Sequence, residues 1–190
     1  MELQYVLTDL FGASRKEAML IQSKFQIEHL RKGDFFLRQH QRCTKLSFIV
    51  SGIFRVYAET EHKEVTQWIG GENYFMTDLH SFLFDQPSRW SIRALTDVKI
   101  LTLHLTDYRA FERDLPRWNI FEKRFIAKCF SMLEDRIFAF IALSAEERYQ
   151  RYFEANREMF NQVPLQYIAS MLGMSPETLS RIRAKVGFGE

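Results

Sequence analysis

The sequence predicts an α+β chain: an N-terminal antiparallel β-roll, a long helix, and a small all-α, winged-helix-like unit built on a helix-turn-helix. Three observations carry this. Between residues 35 and 105, short runs of β-branched and aromatic residues alternate with turn residues, as in an antiparallel roll or barrel. After Asp107 that texture stops, and Pro116 precedes a long run with heptad spacing. Residues 165–185 then read as two short helices, with Gly173 at the turn and Ser175-Pro176 opening the second.

Bulk properties narrow the function classes. A chain of 190 residues fits one or two domains. Apolar residues make up 46%, including 18 Phe, enough for a largely aromatic core. Cations and anions balance over residues 1–115, at 15 each, and stand at 11 to 9 over 116–190, so the small positive excess lies in the C-terminal part. Cys43 and Cys129 are far apart, match no metal spacing and suggest a reducing compartment. Residues 1–12 hold two acids and no Lys or Arg, unlike a secretory signal. No apolar run approaches the ~18 residues of a membrane span. A soluble, cytoplasmic protein with no membrane partner and no metal is expected. No His-x-His pair, nucleophile elbow, P-loop or paired-cysteine motif occurs, so no catalytic residue is assigned.

Taken in order, residues 14–30 read as a helix, because Ala18, Leu20, Ile21, Phe25 and Ile27 recur at roughly helical spacing. A turn at 31–34 follows. Strands are expected at 35–38, 46–50, 53–58, 64–69, 90–95 and 99–105, broken at Ser51-Gly52 and Gly70-Gly71. The long helix spans about 117–143. Ile126, Phe130, Leu133, Ile137 and Phe140 form a heptad seam on it, and Phe121, Phe125, Cys129 and Met132 form a second stripe. Two stripes need two partners. The roll and the same helix of a second copy satisfy both, which predicts a homodimer; a helix buried twice within a monomer is the alternative. Ser144 and Glu147 make a capping box, so a new helix starts at 145. The domains are then 1–115 (sensor roll), 116–143 (dimerisation helix) and 144–190 (helix-turn-helix unit).

Within that last unit, Leu165, Ile168 and Leu172 share a face, and Ala169 is small where two helices cross. Gly173 suits a positive φ. Ser175 caps the second helix and Pro176 takes its first position. Leu179 and Ile182 face inward. This spacing predicts double-stranded DNA as partner, with the second helix in the major groove; a purely structural hairpin is the alternative. Glu177 and Arg181, four apart, share the outer face. Arg can take guanine bidentately, and Glu can accept from the cytosine amino group. Ser175, Thr178, Arg183 and Lys185 are assigned to the DNA backbone.

Roll, long helix and helix-turn-helix in this order resemble the Crp/Fnr family of bacterial regulators from about Phe25 to Lys185, and the chain is similar to short Crp-like members found in Bacteroidetes. Residues 46–57 resemble the family's strand-turn-strand. Gly71-Glu72 and residues 91–94 resemble the two ends of its cyclic-nucleotide cassette, and 176–181 resemble its recognition helix. The resemblance implies a cyclic-nucleotide-binding-like roll and RNA polymerase as a further partner. It also implies that Glu177, Ser180 and Arg181 read palindromic half-sites, of the TTGA type. Members that bind cyclic AMP carry an Arg for the cyclic phosphate. Here Ser88 holds that position and Arg89 comes one residue late, which on a strand faces the other way. Asp78 adds a negative charge nearby, and the segment 73–87 is long and aromatic. The effector pocket is therefore expected at Gly71, Glu72, Ser88 and Arg89, for a small effector other than cyclic AMP, with no cofactor assigned. The two cysteines exclude an iron–sulfur cage, and no His stands in a haem-ligand context. Any wing must come from 161–163 or be reduced. Two other readings stay open: an effector-independent DNA-binding dimer with a vestigial pocket, and a cyclic-nucleotide-binding module acting through a protein partner.

Overall fold

The computed structural model describes residues 3–187. Two helices lead the chain, α1 (Leu3–Asp9) and α2 (Arg15–Gln22). The second opens on a capping box: the Glu17 amide donates to Ser14 Oγ at 3.3 Å, and the Ser14 amide donates to the Glu17 carboxylate at 2.8 Å. Eight strands follow: β1 (Gln26–Leu30), β2 (Phe35–Leu37), β3 (Lys45–Ser51), β4 (Phe54–Glu59), β5 (Glu64–Gly70), β6 (Phe75–Met76), β7 (Ser91–Ala94) and β8 (Val98–His104), with helix α3 (Leu79–Phe84) between β6 and β7. They form two antiparallel sheets, ordered β1-β8-β3-β6 and β2-β7-β4-β5. The sheets face each other over an apolar filling that includes Phe48, Phe54, Phe82, Ile92 and Ile100. Phe82 comes from α3 and meets the Tyr108 ring edge-on at 4.9 Å. The β3–β4 turn depends on Gly52, with φ +93°; a Cβ there would fall 2.4 Å from Val98 Cγ1 and 2.5 Å from the Asp97 carbonyl.

Among the remaining described residues the elements are helices: α4 (Leu105–Asp114), α5 (Trp118–Ala142), α6 (Ala145–Ala155), α7 (Met159–Gln162), α8 (Leu165–Met171) and α9 (Pro176–Gly187). At 25 residues, α5 runs about 37 Å. One of its stripes, Phe121 and Phe125, is buried against the roll. The Ser144 box forms as expected: the Glu147 amide donates to Ser144 Oγ at 3.3 Å, and the Ser144 amide donates to the Glu147 carboxylate at 2.7 Å. A second apolar cluster joins α6 to α9 through Tyr149, Phe160, Ile168 and Leu179, and it includes Ile53 and Ile69 of the roll. No helix among the described residues is long and apolar enough to cross a membrane.

One expected element is corrected. The helix over 14–30 ends at Gln22, and 26–30 instead form β1, paired with β8 from Gln26↔Thr102 to Leu30↔Val98. Ile27 lies in β1 and Phe25 just before it; Ile27 is 61% exposed, so ladder pairing rather than burial fixes this strand. Helix α1 has no counterpart among the expected elements. Of the two alternatives for the wing, 161–163 does not supply one: 159–162 is α7, and no strand follows β8 among the described residues. Residues 1–2 and 188–190, the outer ends of the first and last expected domains, lie outside the described residues.

Candidate nucleic-acid interface and sensor site

The helix-turn-helix forms from short-range instructions. Gly173 ends α8 with φ +69°, and a Cβ there would lie 2.5 Å from the Phe140 ring of α5. The turn closes through Met174 N–H donating to the Ala169 carbonyl at 3.0 Å. Ser175 then caps α9: its Oγ accepts from Thr178 N–H at 3.2 Å, and its carbonyl accepts from Leu179 N–H at 3.0 Å. Leu179 and Ile182 are buried and fix the rotation of α9. Glu177, Ser180, Arg181 and Arg183 are left exposed on the outer face, as is Ser175, while Thr178 is half-buried. The Ser175 hydroxyl, the helix-end amide and then Arg181 hold the Glu177 carboxyl below its ordinary value. Lys185 is already engaged: its ammonium lies 2.8 and 3.1 Å from the two Glu146 oxygens. An exposed pair of this kind is weak.

The helical unit is docked on the roll along β5, the outer strand of its sheet. An edge strand presents unpaired backbone groups, and here α8 covers them. Val56 pairs with Trp68 and Tyr57 with Thr66, so Gln67 is a bulge. Thr66 N–H donates to Ser170 Oγ at 2.9 Å. Arg136 of α5 donates to the Gln67 carbonyl and, at 3.3 Å, to the Met171 carbonyl. Arg55, only 4% exposed, donates to Thr66 Oγ1 at 2.9 Å, pairs with Glu64 at 2.5 Å and stacks on Tyr167 at 3.7 Å from the ring centroid. Arg148 donates to the Leu172 and Leu143 carbonyls, at 3.0 and 2.7 Å, satisfying the ends of two helices.

The four residues expected to form the effector pocket are split. Gly71 and Glu72 lie in the β5–β6 turn. Glu72 is exposed, and a Cβ on Gly71 would meet the Met159 methyl of α7 at 2.9 Å. Arg89 is exposed too. Ser88 is buried, and its carboxylate partner is Asp78: the hydroxyl lies 2.5 Å from Asp78 Oδ2 and also accepts from Trp90 N–H at 3.0 Å. The other Asp78 oxygen caps α3, accepting from His80 and Ser81 N–H at 3.1 and 3.2 Å. A resident carboxylate thus takes the donors that a ligand anion would need. The signal for it was an Asp immediately before an apolar run, which is how a helix start reads in sequence.

The seam of α5 stays on the outside. Ile126, Phe130, Leu133, Ile137 and Phe140 are each 39–58% exposed, a contiguous apolar stripe beside the buried one. Phe140 also touches the Gly173 turn and sits 5.1 Å from the Arg148 guanidinium. Among the described residues no group of three or more His, Cys, Asp or Glu side chains is placed to hold a metal.

Comparison with known proteins agrees with this architecture. Residues 27–113 match the sequence model of the cyclic nucleotide-binding domain family. Among solved structures, the chain is similar to the catabolite activator protein of Thermus thermophilus, 24% identical over 96% of this chain and 87% of that one, with a TM-score of 0.60. It is similar to FixK2 from Bradyrhizobium japonicum, 14% identical over 87% and 85%, with a TM-score of 0.71. It is also similar to CLP, the c-di-GMP responsive global regulator of Xanthomonas campestris, 15% identical over 89% of each chain, with a TM-score of 0.67. No curated protein matches the sequence.

Proposed function

We propose that this Crp/Fnr-like chain is a dimeric, sequence-specific DNA-binding transcription regulator whose roll senses a small effector other than cyclic AMP. The observation that carries it is the outer face of α9. Glu177, Ser180 and Arg181 stand exposed within its first two turns, while Leu179 and Ile182 anchor the helix below. That is the placement for base-edge contact in a major groove. Ser175, Thr178, Arg183 and Lys185 flank it as backbone contacts. The exposed seam of α5 supports a homodimer, since a monomer rarely leaves such a stripe in water. Two copies would present their α9 helices one helical turn, ~34 Å, apart for palindromic half-sites. RNA polymerase is the partner expected of a bound regulator.

Asp78 is the argument against cyclic AMP. A cyclic phosphate beside it would face a carboxylate, with Arg89 exposed rather than aimed at it. The second reading, an effector-independent dimer, is favoured by Phe82, which fills the roll from α3. The test is enrichment of random duplexes by the purified chain, with and without cyclic AMP. A palindrome enriched equally in both is expected. Enrichment only with cyclic AMP contradicts the reading of Asp78, and none in either contradicts a chain that reads DNA unaided.

A further inference from the structure

A cleft bounded by α1, β5–β6 and α5 is lined by none of the four residues that the sequence pointed to as an effector pocket, although Asn73 on its wall follows Glu72 directly. Its volume is about 240 Å³. At ~30 Å³ for each water-sized group, that is room for roughly eight such groups. Phe11, Trp68, Phe125 and Met132 are among the residues of its wall, and the charged side chains on it, among the described residues, are Lys128 and Arg136, with no acid.

Arg136 is the unusual member. It is half-buried, and burial pushes its guanidinium below the ordinary arginine value. Both of its hydrogen bonds go to backbone carbonyls, Gln67 and Met171. It takes part in none of the ion pairs found among the described residues. A partly desolvated cation without a counter-charge is costly, and a carboxylate in its fork-shaped geometry relieves that cost.

We propose that this cleft binds an amphipathic monocarboxylate of about eight carbons, its chain against Trp68, Phe125 and Met132 and its carboxylate on Arg136. This rests on the reading of the roll as a sensor and names the class of its effector. The same guanidinium ties the end of α8 to the β5 bulge. A bound carboxylate competes for those donors, so occupancy loosens the helical unit from the edge of the roll. Leu133 both lines the cleft and belongs to the α5 seam, so ligand and dimer share one wall.

The test uses the full chain without DNA, with octanoate and 1-octanol as probes and tryptophan emission as readout. Trp68→Phe assigns the signal to the cleft. Octanoate gives a saturable change that is lost in Trp68→Phe, and octanol needs about tenfold more for half-saturation, as a charge-assisted hydrogen bond requires. Arg136→Gln weakens octanoate about tenfold and leaves octanol unchanged, while Arg136→Lys restores part of the difference. Should Arg136→Gln fail to fold by circular dichroism, Lys128→Gln at an exposed position gives a smaller loss for octanoate alone. Amide exchange at Thr66 speeds up with octanoate. Equal binding of acid and alcohol, or no response to either, overturns the site; unchanged exchange at Thr66 overturns the release. Because no duplex is present, failure here leaves DNA reading standing, and failed duplex enrichment leaves this titration interpretable.

Discussion

Arg181 concentrates the DNA reading in one side chain. On the proposed reading, Arg181→Ala removes a base contact worth ~1–3 kcal/mol of discrimination. The variant is expected to keep weak, salt-sensitive binding and lose its preference for the enriched duplex, read by gel shift against a scrambled one. Asp78 concentrates the sensor argument. Asp78→Ala strips the cap of α3 and strands the buried Ser88 hydroxyl, a loss of about 1–3 kcal/mol by urea denaturation. At this scale the sequence is most readable where chemistry is local. Gly173, Ser175 and Pro176 each suit one backbone conformation, and the structure uses all three that way. Gly71-Glu72 is less readable, because a dipeptide match carries no information about which strand follows it. Only the fold shows that Asp78, six residues later, is the carboxylate facing Ser88.

Among the elements, α5 and the capped helices make the sharpest statements. Phe130 is 58% exposed in the middle of the seam. Phe130→Asp is therefore expected to fold normally and run as a monomer in light scattering; an intact dimer would place the interface elsewhere. The Ser14 and Ser144 boxes hold the Glu17 and Glu147 carboxyls below their ordinary value, through the serine hydroxyl first and its backbone amide second. A lowered folded value means that the unfolded chain takes up protons first. The stabilisation is present above about 4.5, the ordinary value, and is lost as pH falls below it. Glu147→Gln should flatten that part of the pH dependence of Tm, and Ser144→Ala should cost about 1 kcal/mol at neutral pH. Strand periodicity located most of the roll, because alternation and turns are local signals. It failed at β1, where Phe25 and Ile27 extended a helical pattern by coincidence and the deciding partner, β8, lies some 70 residues on.

For the whole molecule, the docking of the helical unit on the roll was not legible beforehand. It depends on Ser170 meeting Thr66 across 104 residues, on an arginine stacked between units and on a bulge at Gln67. None of these leaves a periodic trace. The order of parts was legible: strand texture, then heptads, then a two-helix motif. The central claim joins α9 to α5, one reading a half-site and the other pairing two copies. Hydroxyl-radical footprinting of the chain on its enriched duplex tests both together. Two protected half-sites centred about one helical turn, ~34 Å, apart are predicted; a single protected stretch, or protection that ignores sequence, would contradict it.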